Sequence, residues 1–241
     1  MHRERPFFRY MAVGPSERQA STLFVGPMRS PVVLLPDGGA EVAAVRFRPN
    51  GAFALLGVPQ DRLQDAIADA AALEIPWLRR TVRSAREASS LEAAIAQLEA
   101  GLLERLMRTG VRTDARVDAV VAAIDRASGD CRVEELVAVA DTGRRNLERL
   151  FREHVGLTPK TYARVVRFTT AAARVTEDPS ARFADVSSDV GYFDQSHMIR
   201  DFLAFAGRTP EQFRARLGEL TRVMLAGGSS GTEVSDGDGG L

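Results

Sequence analysis

One short pattern occurs twice in this chain, 51 positions apart. Phe151, Gly156, Thr158, Pro159 and Tyr162 match Phe202, Gly207, Thr209, Pro210 and Phe213, and Arg149 and Arg200 are equivalent just upstream. Both copies read Phe-x-x-x-x-Gly-x-Thr-Pro-x-x-aromatic. An internal repeat is one supersecondary unit used twice. Each copy reads as a helix ending at Gly, followed by a Thr-capped helix opened by Pro. The stretch before each Phe reads as a helix-turn-helix. Two such units in one chain point to a protein that reads DNA at two adjacent places.

In the first unit, Val133–Val139 is a short amphipathic helix, Ala140-Asp141-Thr142-Gly143 the turn, and Arg144 to Val155 the second helix. Leu147, Leu150, Phe151 and Val155 recur at helical spacing and predict a core face. Arg145, Glu148, Arg149 and Arg152 fall at i, i+3, i+4 and i+7, so they share another face. A helix with one apolar and one Arg-rich face can enter a major groove, where Arg contacts guanine or holds phosphate. In the second unit, Phe183–Val190 leads, Gly191-Tyr192-Phe193 turns, Asp194 caps, and Gln195–Ala206 follows. Met198, Phe202 and Phe205 are expected to face inward. Gln195, Ser196, His197 and Arg200 lie near the N-terminal end, where base edges are read; Gln suits adenine and Arg guanine. Thr158-Pro159 opens a long helix to about Thr176, which predicts a rigid connection between the units. Successive major-groove segments on one DNA face lie roughly 34 Å apart, a span one subunit so built would bridge.

The chain has 32 basic and 32 acidic residues, so no overall basic charge argues for nucleic acid. Local charge does. From Gly143 to Phe168, six arginines (144, 145, 149, 152, 164, 167) and Lys160 face only Glu148 and Glu153, an excess of five positive charges. Cys131 is the sole cysteine, which excludes an intrachain disulfide and a Cys-based zinc site and fits a reducing interior. His2, His154 and His197 are scattered without metal-ligand spacing, and no cofactor is implied. No run approaches membrane-spanning length, and the start shows no apolar signal core. At 241 residues there is room for two modest domains or one large one.

The N-terminal part reads as mixed. Leu23–Val25, Val32–Leu35 and Val42–Phe47 are expected strands, with a turn at Pro36-Asp37-Gly38-Gly39. Ala52–Leu56, Gln60–Ala71 and Trp77–Glu87 are expected helices. Ser89-x-x-Glu92 reads as a capping box for a helix to about Arg108, with Leu91, Ile95, Leu98, Leu102 and Leu106 as its stripe. Thr109–Thr113 marks a boundary. The Gly-, Ser- and Asp-rich stretch 227–241 is expected to be disordered. The fold class expected is an α+β N-terminal module (1–110) followed by an all-α domain (114–222) with two helix-turn-helix units joined by a long helix.

Asp114–Arg216 resembles the DNA-binding domain of the AraC/XylS family of bacterial transcription regulators. The matching text is Glu134-Glu135-Leu136, Arg145-Asn146-Leu147-Glu148-Arg149-Leu150-Phe151-Arg152-Glu153 and Gly156-Leu157-Thr158-Pro159-Lys160. It continues with Gly191-Tyr192-Phe193-Asp194-Gln195-Ser196-His197, Arg200, Phe202, Gly207 and Thr209-Pro210. The resemblance implies base contacts from Arg145, Glu148 and Arg149 in the first unit and from Gln195, Ser196, His197 and Arg200 in the second. Arg144, Asn146, Arg152, Thr158, Lys160 and Thr209 are the phosphate-contact candidates. One departure lies in the first turn, where the family carries Gly and then a Ser or Thr cap but Asp141 and Gly143 stand here. Val45-Arg46-Phe47-Arg48-Pro49, Gly51 and Leu55-Leu56-Gly57-Val58-Pro59 resemble the N-terminal module of some AraC-like regulators, although the front of the chain is short for a complete sensor barrel. Arg46 to Gly51, a strand end running into a helix start, reads either as an anion-holding turn or as solvated arginines.

These readings converge on a cytoplasmic, bacterial, non-enzymatic regulator of transcription. Its partners would be promoter DNA, RNA polymerase, a small-molecule effector and a second copy of the chain. Two rival readings are a helix-turn-helix protein with an appended Cys131-dependent enzyme activity, and an interaction protein that has lost DNA binding.

Overall fold

A computed structural model describes residues 7–10, 17–36, 41–110 and 113–216. The expected turn at 37–39, His2 and the stretch 227–241 lie outside the described residues. The chain divides into two compact units, 1–166 and 167–241.

The first unit begins with β1 (Phe7–Tyr10), β2 (Glu17–Arg18), β3 (Leu23–Val25) and β4 (Val33–Pro36). They are followed by α1 (Gly51–Leu56), a 3-10 turn at Gln60–Leu63, β5 (Ile67–Asp69) and a second 3-10 turn at Ala70–Leu73. Strands β2, β1 and β4 form one antiparallel sheet, and β3 pairs with β5 in register Phe24 to Ala68 in another. Three expectations are corrected here. Val42–Phe47 is not a strand; apart from a single bridge at Val42 it has no regular secondary structure. Gln60–Ala71 is not a helix, although Leu63, Ile67 and Ala70 have helical spacing. Asp65 breaks it with φ 55°, its carboxylate accepting the backbone N–H and Nε–H of Arg29, each at 2.7 Å. A long-range ion pair thus overrides local periodicity. The cap of the next long helix is Ser90, not Ser89: Ser90 is extended and its Oγ accepts the N–H of Ala93 at 3.1 Å.

Two antiparallel helices close the N-terminal part, α2 (Pro76–Glu87) and α3 (Leu91–Thr109). They approach closely because Gly101 has no Cβ, and a Cβ there would overlap the Thr81 side chain. Ala94 and Ala85 are fully buried. The expected α3 stripe is only half-buried, and Ile95 is exposed. Phe24, Ala52, Leu56, Leu63, Ala70 and Val82 form a small core, with Trp77 and Leu78 packed on it.

Beyond residue 113 the regular structure of the described residues is all helical. Helices α4 (Ala115–Arg126), α5 (Val133–Val139), α6 (Arg144–Val155) and α7 (Pro159–Glu177) precede α8 (Phe183–Asp189), α9 (Gln195–Ala206) and α10 (Pro210–Ala215). The architecture is therefore an α+β module followed by an all-α region with two helix-turn-helix units. The repeat extends into the cores. Val117, Val120 and Ile124 of α4 pack with Leu136, Leu147 and Phe151 in the first. In the second, Phe168, Ala171 and Val175 of α7 take the same places, 51 residues on, against Val186, Met198 and Phe202.

Candidate nucleic-acid interface

Each unit is a leading helix, a turn and a second helix whose apolar side is sealed. Helix α6 buries Leu147 and Phe151 completely, and Leu150 and Val155 nearly so. Helix α9 does the same with Met198 and Phe202. Phe202 meets Phe213 and Phe168 edge-to-face at 5.5 and 5.1 Å, while Phe151 meets Tyr162 at 5.7 Å. Both helices end on a left-handed glycine, Gly156 with φ 81° and Gly207 with φ 67°. Both then restart through a threonine. Thr158 Oγ1 accepts the N–H of Thr161 at 3.1 Å, and Thr209 forms a capping box with Gln212. With their inner faces locked, α6 and α9 are rigid supports for whatever side chains point outward.

The turns differ in length. The leading helices α5 and α8 lie 50 positions apart, but the second helices α6 and α9 lie 51 apart. The left-handed residue follows the shorter offset, Asp141 with φ 44° and Gly191 with φ 79°. The second turn thus holds one more residue. Phe193 stands in it 93% exposed, just before the Asp194 cap. The change of offset within the repeat is a signal from which Phe193 could have been found in the sequence. A phenyl ring in water at a turn that abuts a candidate reading helix is suited to apolar contact with sugar or thymine methyl.

The outward faces carry the charge. In the first unit Arg144, Arg145, Arg149 and Arg152 are exposed, but most are engaged. Glu148 takes Arg144 at 3.2 Å and Arg152 at 3.6 Å. Arg149 donates to Glu153 at 3.1 Å and to Asn146 Oδ1 at 3.0 Å. Asn146 in turn donates to Thr142 at 2.9 Å. Arg145 has no ion pair among the described residues. The first face is therefore a ladder of arginines and glutamates rather than a row of free cations. Such exposed pairs are weak, about 0.2–1 kcal/mol, and exchange readily for phosphate or base acceptors.

The second face is simpler. Gln195, Ser196 and Arg200 are exposed, and Arg200 has no ion pair among the described residues. Asp194 Oδ1 accepts the N–H of His197 at 2.6 Å, and the His197 ring stands edge-on to Tyr192 at 5.1 Å. That packing makes His197 a support of the turn. Lys160 is exposed at the start of α7, and Thr158 and Thr209 are occupied as caps.

A second feature joins α6 to the N-terminal part within the first unit. Asn50 is 4% exposed, and its amide donates to Asp118 Oδ1 at 2.9 Å while its Oδ1 lies 2.9 Å from His154 Nδ1. The Phe53 ring of α1 lies over His154 at 4.0 Å between centroids. Burial pushes the His154 pKa down, which favours the neutral ring. Gly156 sits so close to Pro27 and Gln60 that a Cβ would come within 2.6 and 2.8 Å of them. The C-terminal end of a candidate reading helix is thus seated on the N-terminal part. With Asn50 and His154 104 positions apart, no sequence pattern announces this contact.

Cys131 is half-buried, packs against the first helix-turn-helix core and lies 4.0 Å from the Gly129 carbonyl. No helix among the described residues is long and apolar enough to cross a membrane. No group of three or more His, Cys, Asp or Glu among them could hold a metal.

Residues 136–216 match a family described as a helix-turn-helix domain. Among curated proteins, a helix-turn-helix-type transcriptional regulator of Haemophilus influenzae, itself uncharacterized, is 28% identical over 117 residues, 48% of this chain and 37% of that protein. The helix-turn-helix-type transcriptional regulator MtrA of Neisseria gonorrhoeae is 26% identical over 96 residues, 40% of this chain and 32% of that one. The chain spans about a third of the length of these relatives. A crystal structure of a transcriptional regulator from Chromobacterium violaceum, titled as an AraC-type DNA-binding domain-containing protein, is similar at 19% identity. It covers 43% of this chain and 96% of its own, with a TM-score of 0.38.

Proposed function

We propose that the chain is a transcriptional regulator of the AraC type that binds duplex DNA through α6 and α9, a reading supported by the helix-turn-helix match over residues 136–216. The observation that carries this reading is the duplicated support. Two helices with the same sealed core, the same glycine end and the same threonine restart both present exposed polar faces. In the proposal, residues 114–222 are the DNA-binding domain, and its two units enter adjacent major-groove segments. Arg145, Glu148, Arg149, Gln195, Ser196 and Arg200 are assigned to bases, with His197 at the edge of that set. Arg144, Asn146, Arg152, Thr158, Lys160 and Thr209 are assigned to phosphates, which set register without specifying sequence. Residues 1–110 are the regulatory module. The seat of α6 on that module, through Asn50, His154 and Phe53, supports this part, because a change there reaches a reading helix directly. Promoter DNA, RNA polymerase, a small effector and a second copy of the chain are the partners proposed, and the cytoplasm the site of action.

Selection of bound sequences from a random duplex pool, at two salt concentrations, tests the reading. Two enriched blocks about one helical turn apart are expected. Retention without enrichment, falling steeply with salt, would leave only non-specific binding and defeat it.

A further inference from the structure

A cavity of about 520 Å³ opens between α2 and α3. Trp77, Arg80 and Thr81 of α2 and Glu104, Arg105 and Arg108 of α3 line it. The size is that of a small-molecule site. Three guanidinium groups share it with one carboxylate, and that carboxylate is held by Arg108 at 3.3 Å. Arg105 lies over the Trp77 ring at 5.6 Å, and Arg80 has no ion pair among the described residues. Trp77 Nε1 is buried with no acceptor in reach. Beside the neutral Thr81, Ser84 and Gln97, the lining is dominated by donors. A ligand that satisfies them must bring acceptors and negative charge at one end and a flat apolar body for the indole at the other.

The cavity is also wired to α6. Arg105 Nε donates to the carbonyl of Leu55 at 3.2 Å, in the last turn of α1. The residue before that same helix is Asn50, which holds His154 of α6. One six-residue helix thus runs from a guanidinium of the cavity to the seat of a reading helix.

We propose that the α2–α3 cavity binds a small organic anion, with a phosphate or carboxylate head on Arg80, Arg105 and Arg108 and a planar body on Trp77, and that its occupancy is passed to α6 through α1. The second half rests on the reading of residues 1–110 as a regulatory module; the first half does not. A ligand that recruits Arg105 alters its hold on Leu55, and α1 carries the change to the Asn50–His154 contact.

Trp77 is the only tryptophan of the chain, so its fluorescence reports the cavity alone. The full chain is titrated with phenyl phosphate, phenylacetate, inorganic phosphate and benzyl alcohol. A saturable change with one or both aromatic acids is expected, with at least a tenfold weaker response to benzyl alcohol and to inorganic phosphate. The two acids distinguish the phosphate from the carboxylate head. Arg80→Gln and Arg108→Gln should each raise Kd about tenfold, and Glu104→Gln should lower it, a gain no misfolded variant gives. Absence of saturation with both acids, or equal response to benzyl alcohol, overturns the site. Retention of the selected duplex DNA is then measured with and without the acid that binds. A change of at least threefold, lost in Asn50→Ala while the tryptophan titration survives, supports the coupling. Saturable binding with unchanged DNA retention keeps the site and overturns its regulatory role.

Discussion

The two helix-turn-helix units share one scaffold and differ in what their outward faces offer. Their cores superimpose in sequence at an offset of 51, from Val117 and Phe168 to Tyr162 and Phe213, except in the leading helices, where Leu136 matches Val186 at 50. Their turns do not. The first places the side-chain-bearing Asp141 at φ 44° and starts α6 on Gly143, which offers no side-chain cap. The second uses Gly191 and caps α9 with Asp194. On the outside, the first unit holds Arg144, Arg149 and Arg152 against Glu148 and Glu153, whereas Arg200 of the second faces solvent without an ion pair among the described residues. The two units agree in what keeps the helix in place and differ in what that helix offers. The second unit is the better candidate for specific reading, and the first for adjustable grip.

Equal cores predict equal losses. Phe151→Ala and Phe202→Ala should each destabilise the domain by about 3–5 kcal/mol, because each empties a fully buried ring site. Chemical denaturation measures both. A value for one of them below about 1 kcal/mol would show that the two cores are not equivalent after all.

Unequal faces predict unequal losses. Arg200→Ala should weaken binding to the selected DNA by roughly 1–3 kcal/mol and relax specificity at one base pair. Arg149→Ala should weaken it less, since Arg149 must first leave Glu153 and Asn146. The sharper test is Glu153→Gln, which releases Arg149 and should tighten binding by about 0.2–1 kcal/mol. If Arg149→Ala proves the more damaging of the two arginine changes, the division of labour between the units is reversed.

Acid should loosen the first unit through His154. Buried His154 is held neutral with its pKa below the ordinary value, desolvation outweighing the pull of Glu153, Asp114 and Asp118. The unfolded chain therefore binds the proton more readily. The contribution of His154 is full above about pH 6.5 and is lost as pH falls from there through the lower folded value. Thermal melts at descending pH should show this loss in wild type and not in His154→Gln. The same dependence in both proteins would assign it elsewhere.

What was readable in the sequence follows the same division. Helical spacing, glycine ends and Thr-Pro restarts are local signals, so α4 to α10 were legible, as were the outward residues of α6 and α9. The salt bridges of α6 were also open to reading, because Arg144 with Glu148 and Arg149 with Glu153 are each four apart. The N-terminal part was harder, because non-local contacts decide it. Asp65 takes its conformation from Arg29, and β3 finds its partner in β5, 44 residues on at Phe24 and Ala68. The seat of α6 on Asn50 and the cavity over Trp77 arise the same way.

The smallest expected effect concerns the first turn. Gly143 starts α6 with its backbone already extended, at φ −69° and ψ 147°, a conformation that serine adopts without strain. Gly143→Ser would supply an oxygen for the free N–H groups of the first turn, as Asp194 does for His197 in the second unit. Gly is only a few tenths of a kcal/mol poorer than serine at such a position, so the gain should be of that order. Gly143 is exposed, with open space where a Cβ would stand, so nothing offsets the gain sterically. A melting temperature that rises slightly with unchanged DNA affinity would show the weak cap to be a defect of stability alone. A rise in stability accompanied by narrower sequence preference would show that a loosely started α6 is what allows the first unit its adjustable grip.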